Sequence, residues 1–271
     1  MHSGLDISLV KDIPQVGLGL WKVTDVGEFE NTFTAAIESG YRHFDTAQAY
    51  GNEAMLGDAW TKLSMPREEL FITTKINISN FGYDRTIKSF ETSLKNLQTT
   101  YVDLLLLHFP IPLIRNKSWE ALVDIQKSGH AKHIGVSNFT VKHLEEMKTK
   151  GLPAPYVNQV ELHIFLQQPE LVEYCRENDI LIEAYSPLAH GKNMDDPTVT
   201  KIAEKHHVSY ALVMLRWCIE QGFIVLPKSA HPERVKQNIQ VLDFELDDTD
   251  MEELKQLDKN LRTCWNPTFV P

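Results

Sequence analysis

Four side chains of this sequence could act together on one oxygen atom: Asp45, Tyr50, Lys75 and His108. A free phenol has a pKa of about 10 and is a poor acid near neutrality. An ammonium about 4 Å away favours the phenolate by about 4 kcal/mol at an effective dielectric of about 20. That is roughly three pKa units before desolvation opposes it. A lysine inside a pocket stays charged only beside a carboxylate, and Asp45 is the candidate. His108 can donate a hydrogen bond to a substrate oxygen and fix its orientation. The set makes a proton donor for an oxygen that gains negative charge, which suits carbonyl reduction. No side chain supplies hydride, so a reduced nicotinamide or flavin is required.

Taken singly, each residue has a plain structural reading. Lys75 is a solvated charge at a strand end, and His108 a satisfied polar residue after the apolar run 104–107. Asp45 is a turn cap and Tyr50 a half-buried aromatic. The chemical reading depends on the elements that bring the four together.

Those elements repeat. Residues 7–9 and 13–14 read as a small hairpin, and 16–19 as a first strand. Phe29, Phe33, Ala36 and Ile37 follow at helical spacing, with Gly40 as a C-terminal cap. Strand-like runs recur at 42–45, 70–75, 102–107, 133–136, 157–161, 180–184 and 223–226, separated by amphipathic stretches. Two helical patterns lie around 199–203 and 212–219, another is entered through Pro232, and a last one starts near Asp247. Eight βα units without a composition break predict a single domain over 1–271. Its expected fold is a (β/α)8 TIM barrel with an N-terminal β-hairpin and extra C-terminal helices. The rival is a doubly wound open sheet, but Gly17-Leu18-Gly19 is only a fragment of a dinucleotide fingerprint.

In such a barrel the catalytic groups lie at the C-terminal ends of the strands. Asp45, Lys75 and His108 end strands two, three and four. Ser137-Asn138, Gln159 with Glu161, Tyr185-Ser186 and Lys228-Ser229 end the next four.

Composition narrows the partners. A net charge of −10 argues against nucleic acid. Cys175, Cys218 and Cys264 form neither a disulfide framework nor a ligand pattern, which fits a reducing cytoplasm. The sequence shows no signal-peptide pattern and no apolar run long enough for a bilayer. His206-His207 and Glu161-x-His163 lack zinc-site spacing, so no metal is expected.

Residues 227–234 run from the eighth strand into a helix. Pro232 suits the first helical position, and free N–H groups at a helix start favour an anion. Lys228, Ser229 and Arg234 add two charges and a hydroxyl, and Arg offers a planar fork suited to phosphate. A solvated helix start is the plain alternative.

Almost the whole chain resembles the aldo-keto reductase family, in particular its bacterial and protist members acting on diketo-gluconate and methylglyoxal. Ile13-Pro14-x-Val16-Gly17-Leu18-Gly19-x-Trp21 resembles the family's first strand, and Asp45-Thr46-Ala47-x-x-Tyr50-Gly51-Asn52-Glu53 its active-site signature. The segments around Lys75, His108-x-Pro110, Ser137-Asn138-Phe139, Asn158-Gln159 and Tyr185-Ser186-Pro187-Leu188 follow in the family's order. The resemblance implies that Tyr50 is the general acid, that Lys75 and Asp45 tune it, and that His108 positions the carbonyl. It implies NADPH as cofactor. Lys228, Ser229 and Arg234 would hold its 2′-phosphate, and Gln237 and Asn238 its adenine. Tyr185 would stack on the nicotinamide, whose carboxamide Ser137, Asn138 and Gln159 would bind, with Ser186 and Leu188 along the pyrophosphate. Trp21, Tyr50, His108 and Phe109 would face a small carbonyl substrate. Phe109 stands where the family usually has Trp, and the loop at 111–117 and the C-terminal tail are short, which implies an open pocket. A monomer or weak homo-oligomer is expected. The rival functions are an NADPH-binding regulatory subunit with little turnover, and a metal-dependent barrel hydrolase or isomerase.

Overall fold

The structure, a computed structural model, describes residues 9–271. The hairpin is present as β1 (Leu9–Val10) and β2 (Ile13–Pro14), antiparallel. Residues 7 and 8 of the predicted hairpin lie outside the described residues.

Eight parallel strands follow: β3 (Gly17–Gly19), β4 (His43–Asp45), β5 (Phe71–Ile76), β6 (Val102–Leu107), β7 (Ala131–Ser137), β8 (Val157–Glu161), β9 (Leu181–Tyr185) and β10 (Ile224–Leu226). Their spatial order is their chain order, β3 to β10. The seam between β10 and β3 closes through Val225 N to Gln15 O at 2.8 Å and Gly19 N to Pro227 O at 3.0 Å. This is a barrel, so the open doubly wound alternative is excluded. Gly17 is required at the seam, because a Cβ there would lie 2.7 Å from Leu226 Cδ2 and 2.8 Å from His43.

The helices alternate with the strands: α1 (Val26–Glu38), α2 (Glu53–Lys62), α3 (Tyr83–Asn96), α4 (Arg115–Lys127), α5 (Val141–Thr149) and α6 (Pro169–Glu177). Then come α7 (Pro197–His206), α8 (Tyr210–Glu220), α9 (Pro232–Asn238) and α10 (Asp248–Lys255). Local sequence sets their ends. Asp25 caps α1 by accepting from Glu28 N at 2.8 Å, and Gly40 takes a left-handed φ of 93° just past its end. Asp247 and Asp250 form a reciprocal cap on α10.

Two apolar clusters result from the strand alternation. Ile13, Phe71, Leu104, Leu106, Val157 and Ile224 fill the barrel interior, with Ile13 of the hairpin at its floor. A larger cluster fills the layer between strands and helices. Above the interior cluster the inward positions turn polar: His43, Asp45, Thr73, Lys75, Gln159 and Glu183 are all buried. That polar layer is the base of the site.

Candidate active site

Lys75 organises the site. It lies one residue before the end of β5, not at its end as the sequence suggests, because the ladder to β6 continues through Ile76 and Leu107. Its ammonium is fully buried and donates to three acceptors: Asp45 Oδ1 at 2.6 Å, the Thr46 carbonyl at 3.0 Å and the Tyr50 hydroxyl at 3.2 Å. An ammonium has three N–H donors, so each is used once. Burial, the strongest influence, lowers its proton affinity, but Asp45 and Tyr50 more than reverse this and raise its pKa. The lysine therefore stays charged.

Asp45 ends β4, and a 3-10 turn at Gln48–Tyr50 brings the phenol back over it. Gly51 closes that turn with φ of 70°. Asn52 braces the loop: it accepts from Thr46 Oγ1 at 2.6 Å and donates to the Leu20 and Val23 carbonyls, each at 2.9 Å. The sequence reading gave Asn52 a place in the motif but no role.

At the phenol the two opposing effects expected from sequence, the pull of Lys75 and desolvation, are both present. Burial raises the Tyr50 pKa, Lys75 opposes this, and Asp45 adds to the rise. The Lys75 attraction is about 5 kcal/mol at an effective dielectric of about 20, and desolvation exceeds it. Tyr50 thus keeps its proton, as a proton donor must. His108 follows β6, with its ring 5.6 Å from that of Tyr50, edge to face. Burial and then Lys75 push its pKa down to about 3, so the imidazole is neutral and retains one N–H.

A cavity of about 610 Å³ opens over Tyr50 and His108 and extends to Lys228. Ser137, Asn138 and Gln159 line it from β7 and β8, and Tyr185, Ser186 and Leu188 from β9 and the loop after it. These residues form a fixed web. Tyr185 donates to Asn138 Oδ1 at 2.7 Å, Asn138 Nδ2 to the His108 carbonyl at 3.1 Å, and Ser137 to the Gln159 carbonyl at 2.9 Å. The Gln159 amide nitrogen donates to Asp45 Oδ2 at 2.8 Å. Its oxygen has no protein partner among the described residues and can accept an N–H donor.

The other predicted positions lie further out. Phe109 is half-buried and Ser229 buried, and neither lines the cavity. The Ser229 hydroxyl accepts from His231 N at 3.0 Å, which shapes the turn before α9. Arg234 and Gln237 are exposed on α9, where Asn238 is buried. Arg234 has no ion pair among the described residues.

The C-terminal tail, short as it is, reaches the pocket and supplies part of its wall through residues 263–265. Trp265 lines the cavity, its ring 6.5 Å from Trp21 and 6.4 Å from His108. The buried Glu161 carboxylate holds this segment by accepting from Thr263 N and Thr263 Oγ1, both at 2.6 Å, and from Cys264 N at 3.0 Å. Further on, the Val270 carbonyl faces His143 Nε2 at 3.1 Å. Thus Glu161 and His163, a motif without metal spacing, serve a clasp: they face each other at 3.4 Å behind the tail.

The family model for the aldo/keto reductase family matches residues 15–259. This chain belongs to that family. Among its relatives, the glyoxal reductase of Bacillus subtilis is 42% identical over 267 residues, covering 98% of this chain and 95% of that protein. The 9,11-endoperoxide prostaglandin H2 reductase of Trypanosoma cruzi is 39% identical over 263 residues, covering 96% and 93%. A crystal structure of a Gox0644 variant in complex with NADPH superposes with a TM-score of 0.89 at 39% identity, covering 96% of this chain and 95% of that one.

The donor set fits a nicotinamide cofactor. The Gln159 oxygen and the Ser137–Asn138 pair present amide-matching groups, the Tyr185 ring supplies a flat face, and Lys228 adds a cation at the far end. Among the described residues, no helix is long and apolar enough to cross a membrane.

Proposed function

We propose that this protein is an NADPH-dependent aldo/keto reductase that converts small aldehydes, α-dicarbonyls or keto sugars to alcohols, with Tyr50 as general acid. The observation that carries the reading is the division of the three Lys75 N–H groups among Asp45, Thr46 and Tyr50.

NADPH, when bound, supplies the hydride. The chain's residues handle the oxygen. Neutral His108 donates its N–H to the carbonyl oxygen and sets the angle of the substrate. Tyr50 gives that oxygen its proton as negative charge develops there. The charge then left on the phenolate lies beside Lys75, which Asp45 keeps protonated, so the proton donor is stabilised after the step as well as before it. Trp21 and Trp265 exclude water from the reacting carbon and form an apolar wall. Ser137, Asn138 and Gln159 hold the carboxamide, Tyr185 stacks on the ring, and Ser186 and Leu188 lie along the pyrophosphate. Lys228, Ser229 and Arg234 take the 2′-phosphate, and Gln237 and Asn238 the adenine. The likeness to the glyoxal reductase supports an α-dicarbonyl substrate.

The test follows NADPH oxidation by absorbance against methylglyoxal, simple aldehydes, aldoses and diketo-gluconate, with NADH in parallel. Turnover is expected with NADPH. In Tyr50→Phe it should fall by about 10²–10⁴-fold while NADPH affinity is retained. Retained turnover in that variant removes the general-acid role. Tight NADPH binding with no turnover on any carbonyl would favour the regulatory-subunit reading.

A further inference from the structure

Beneath the proton-donating cluster lies a second acid that the mechanism above does not use. Glu183 sits on β9, two residues before Tyr185, and is fully buried. It pairs in register with Gln159 on β8 and with apolar Ile224 on β10. The Gln159 amide nitrogen donates 2.8 Å to Glu183 Oε2 and 2.8 Å to Asp45 Oδ2. One amide group thus bridges two buried carboxyl groups, and both its N–H bonds are occupied. This fixes which way the amide points: nitrogen down to the two acids, oxygen up to the cavity.

The other oxygen, Glu183 Oε1, has no hydrogen-bond partner among the described residues. Its nearest titratable neighbour is His43 on β4, whose Nε2 is 3.7 Å away. His43 Nδ1 faces the Pro14 carbonyl at 3.3 Å and therefore carries the proton, leaving a lone pair on Nε2, which faces the Thr73 hydroxyl at 3.0 Å. Asp45 on β4 and Lys75 on β5 complete the charged groups that act on Glu183. A bare carboxylate oxygen facing a lone pair in a buried interior is unfavourable, whereas a protonated carboxyl is tolerated there.

We propose that Glu183 is a positioning residue for the reduction: as a neutral acid it holds the Gln159 amide, so that Asp45 is fixed against Lys75 and the Gln159 oxygen faces the cofactor, and its ionisation disables this arrangement. The proposal rests on the functional reading above. Burial, reinforced by the Asp45 charge, pushes the Glu183 pKa up to about 8, against the weaker pull of Gln159 and Lys75. Loss of the proton to solvent above that pH places a second negative charge on the other acceptor of the same amide. That charge competes with Asp45 for Gln159 and draws on the field of Lys75. Both effects oppose the growth of phenolate on Tyr50, so proton donation slows.

The test compares pH profiles of kcat/KM for the wild type and Glu183→Gln. The substituted amide keeps an acceptor for Gln159, cannot ionise, and directs its N–H₂ to the His43 lone pair, so the fold is retained. The wild-type profile should fall about tenfold per pH unit above about pH 8, and the variant's limb should move up by at least about one unit. Glu183→Asp should restore a limb at moderately alkaline pH. A purely structural role would change rates equally at every pH. An unmoved limb in Glu183→Gln overturns the proposal. A second measurement needs no turnover. The infrared difference between about pH 6 and about pH 10 should show a carboxylic-acid carbonyl band in the wild type that is missing in Glu183→Gln. Absence of that band at about pH 6 overturns the proposal whatever the enzyme's activity. Its presence in a protein without carbonyl turnover would keep the neutral acid but overturn its role in the reduction, together with the functional reading.

Discussion

Lys75 Nζ lies 2.6 Å from Asp45 Oδ1, with both side chains almost wholly removed from water. Such a pair is not needed for stability as such, since desolvation offsets much of its attraction. Its value is to keep an ammonium charged under a phenol. Removing one partner alone should be severe. Lys75→Met is expected to lose about 3–5 kcal/mol of stability, because it leaves Asp45 buried and uncompensated. Asp45→Asn added to Lys75→Met should recover part of that stability but none of the turnover. Urea unfolding of both variants checks this. Equal stability of the single and double variants would mean that the pair is not coupled.

The pocket wall supplied by the tail gives a second prediction. Trp265 is 58% exposed and its ring faces those of Trp21 and His108 in the cavity, so its expected effect is on substrate rather than on the fold. Trp265→Ala should raise KM for bulky apolar aldehydes by about tenfold, in line with the loss of one aromatic contact surface of roughly 1.5 kcal/mol. Methylglyoxal should be affected far less. Glu161→Ala should copy this pattern by releasing residues 263 and 264, and should open the tail to limited proteolysis. A uniform KM change across both substrate types would show that Trp265 is not a selective wall.

The outline of the fold and the proton-donating cluster could be read from residue types and spacing. Residues 102–107 and 157–161 match β6 and β8 at both ends. Other strand ends differ by one or two residues, and at the start of β5 the 3-10 turn Arg67–Glu69 stands just before the strand. Glu183 is the one polar residue in the run Ile180-Leu181-Ile182-Glu183-Ala184, and nothing local marks it as functional. A strand buried on both faces has no alternation to tell an inward acid from an outward one. Asp103 has the same appearance in sequence but accepts from Arg67 at 2.6 Å and pairs with Lys132 at 2.7 Å. The Glu161 clasp was illegible because its partners are 102 and 103 residues away, and no local pattern encodes such a contact. For Tyr50 the sequence locates the opposing charge on Lys75 but not the extent of burial, which decides that the phenol keeps its proton.

Arg234 tests the cofactor end of the site. It is exposed, unpaired among the described residues, and two positions into α9 after Pro232. A charge-assisted bond to phosphate contributes about 1.5–3 kcal/mol. Arg234→Ala should therefore weaken NADPH by about tenfold to a hundredfold and leave NADH nearly unchanged, measured by fluorescence titration. Equal weakening of both cofactors would mean that Arg234 does not read the 2′-phosphate.

Two buried histidines predict the acid limit of the fold. Burial pushes the His43 pKa down to about 4 and the His108 pKa down to about 3. In the unfolded chain both should titrate near about 6.5. Below that pH the unfolded state binds protons that the folded state refuses, so stability falls as pH falls. Each histidine contributes up to about 1.4 kcal/mol per pH unit, with His143 and His190 shifted in the same direction. Glu183 acts oppositely. Its raised pKa means that the folded state holds the extra proton from about pH 4.5 up to about pH 8, so its contribution is fully present at low pH and lost as pH rises. The wild type should therefore weaken below about pH 6.5, with Glu183 blunting the decline. In Glu183→Gln the decline should steepen by about one proton, or about 1.4 kcal/mol per pH unit. Urea unfolding between about pH 5 and pH 8 measures both slopes. Stability independent of pH across that window would show that His43 and His108 are not held neutral by burial.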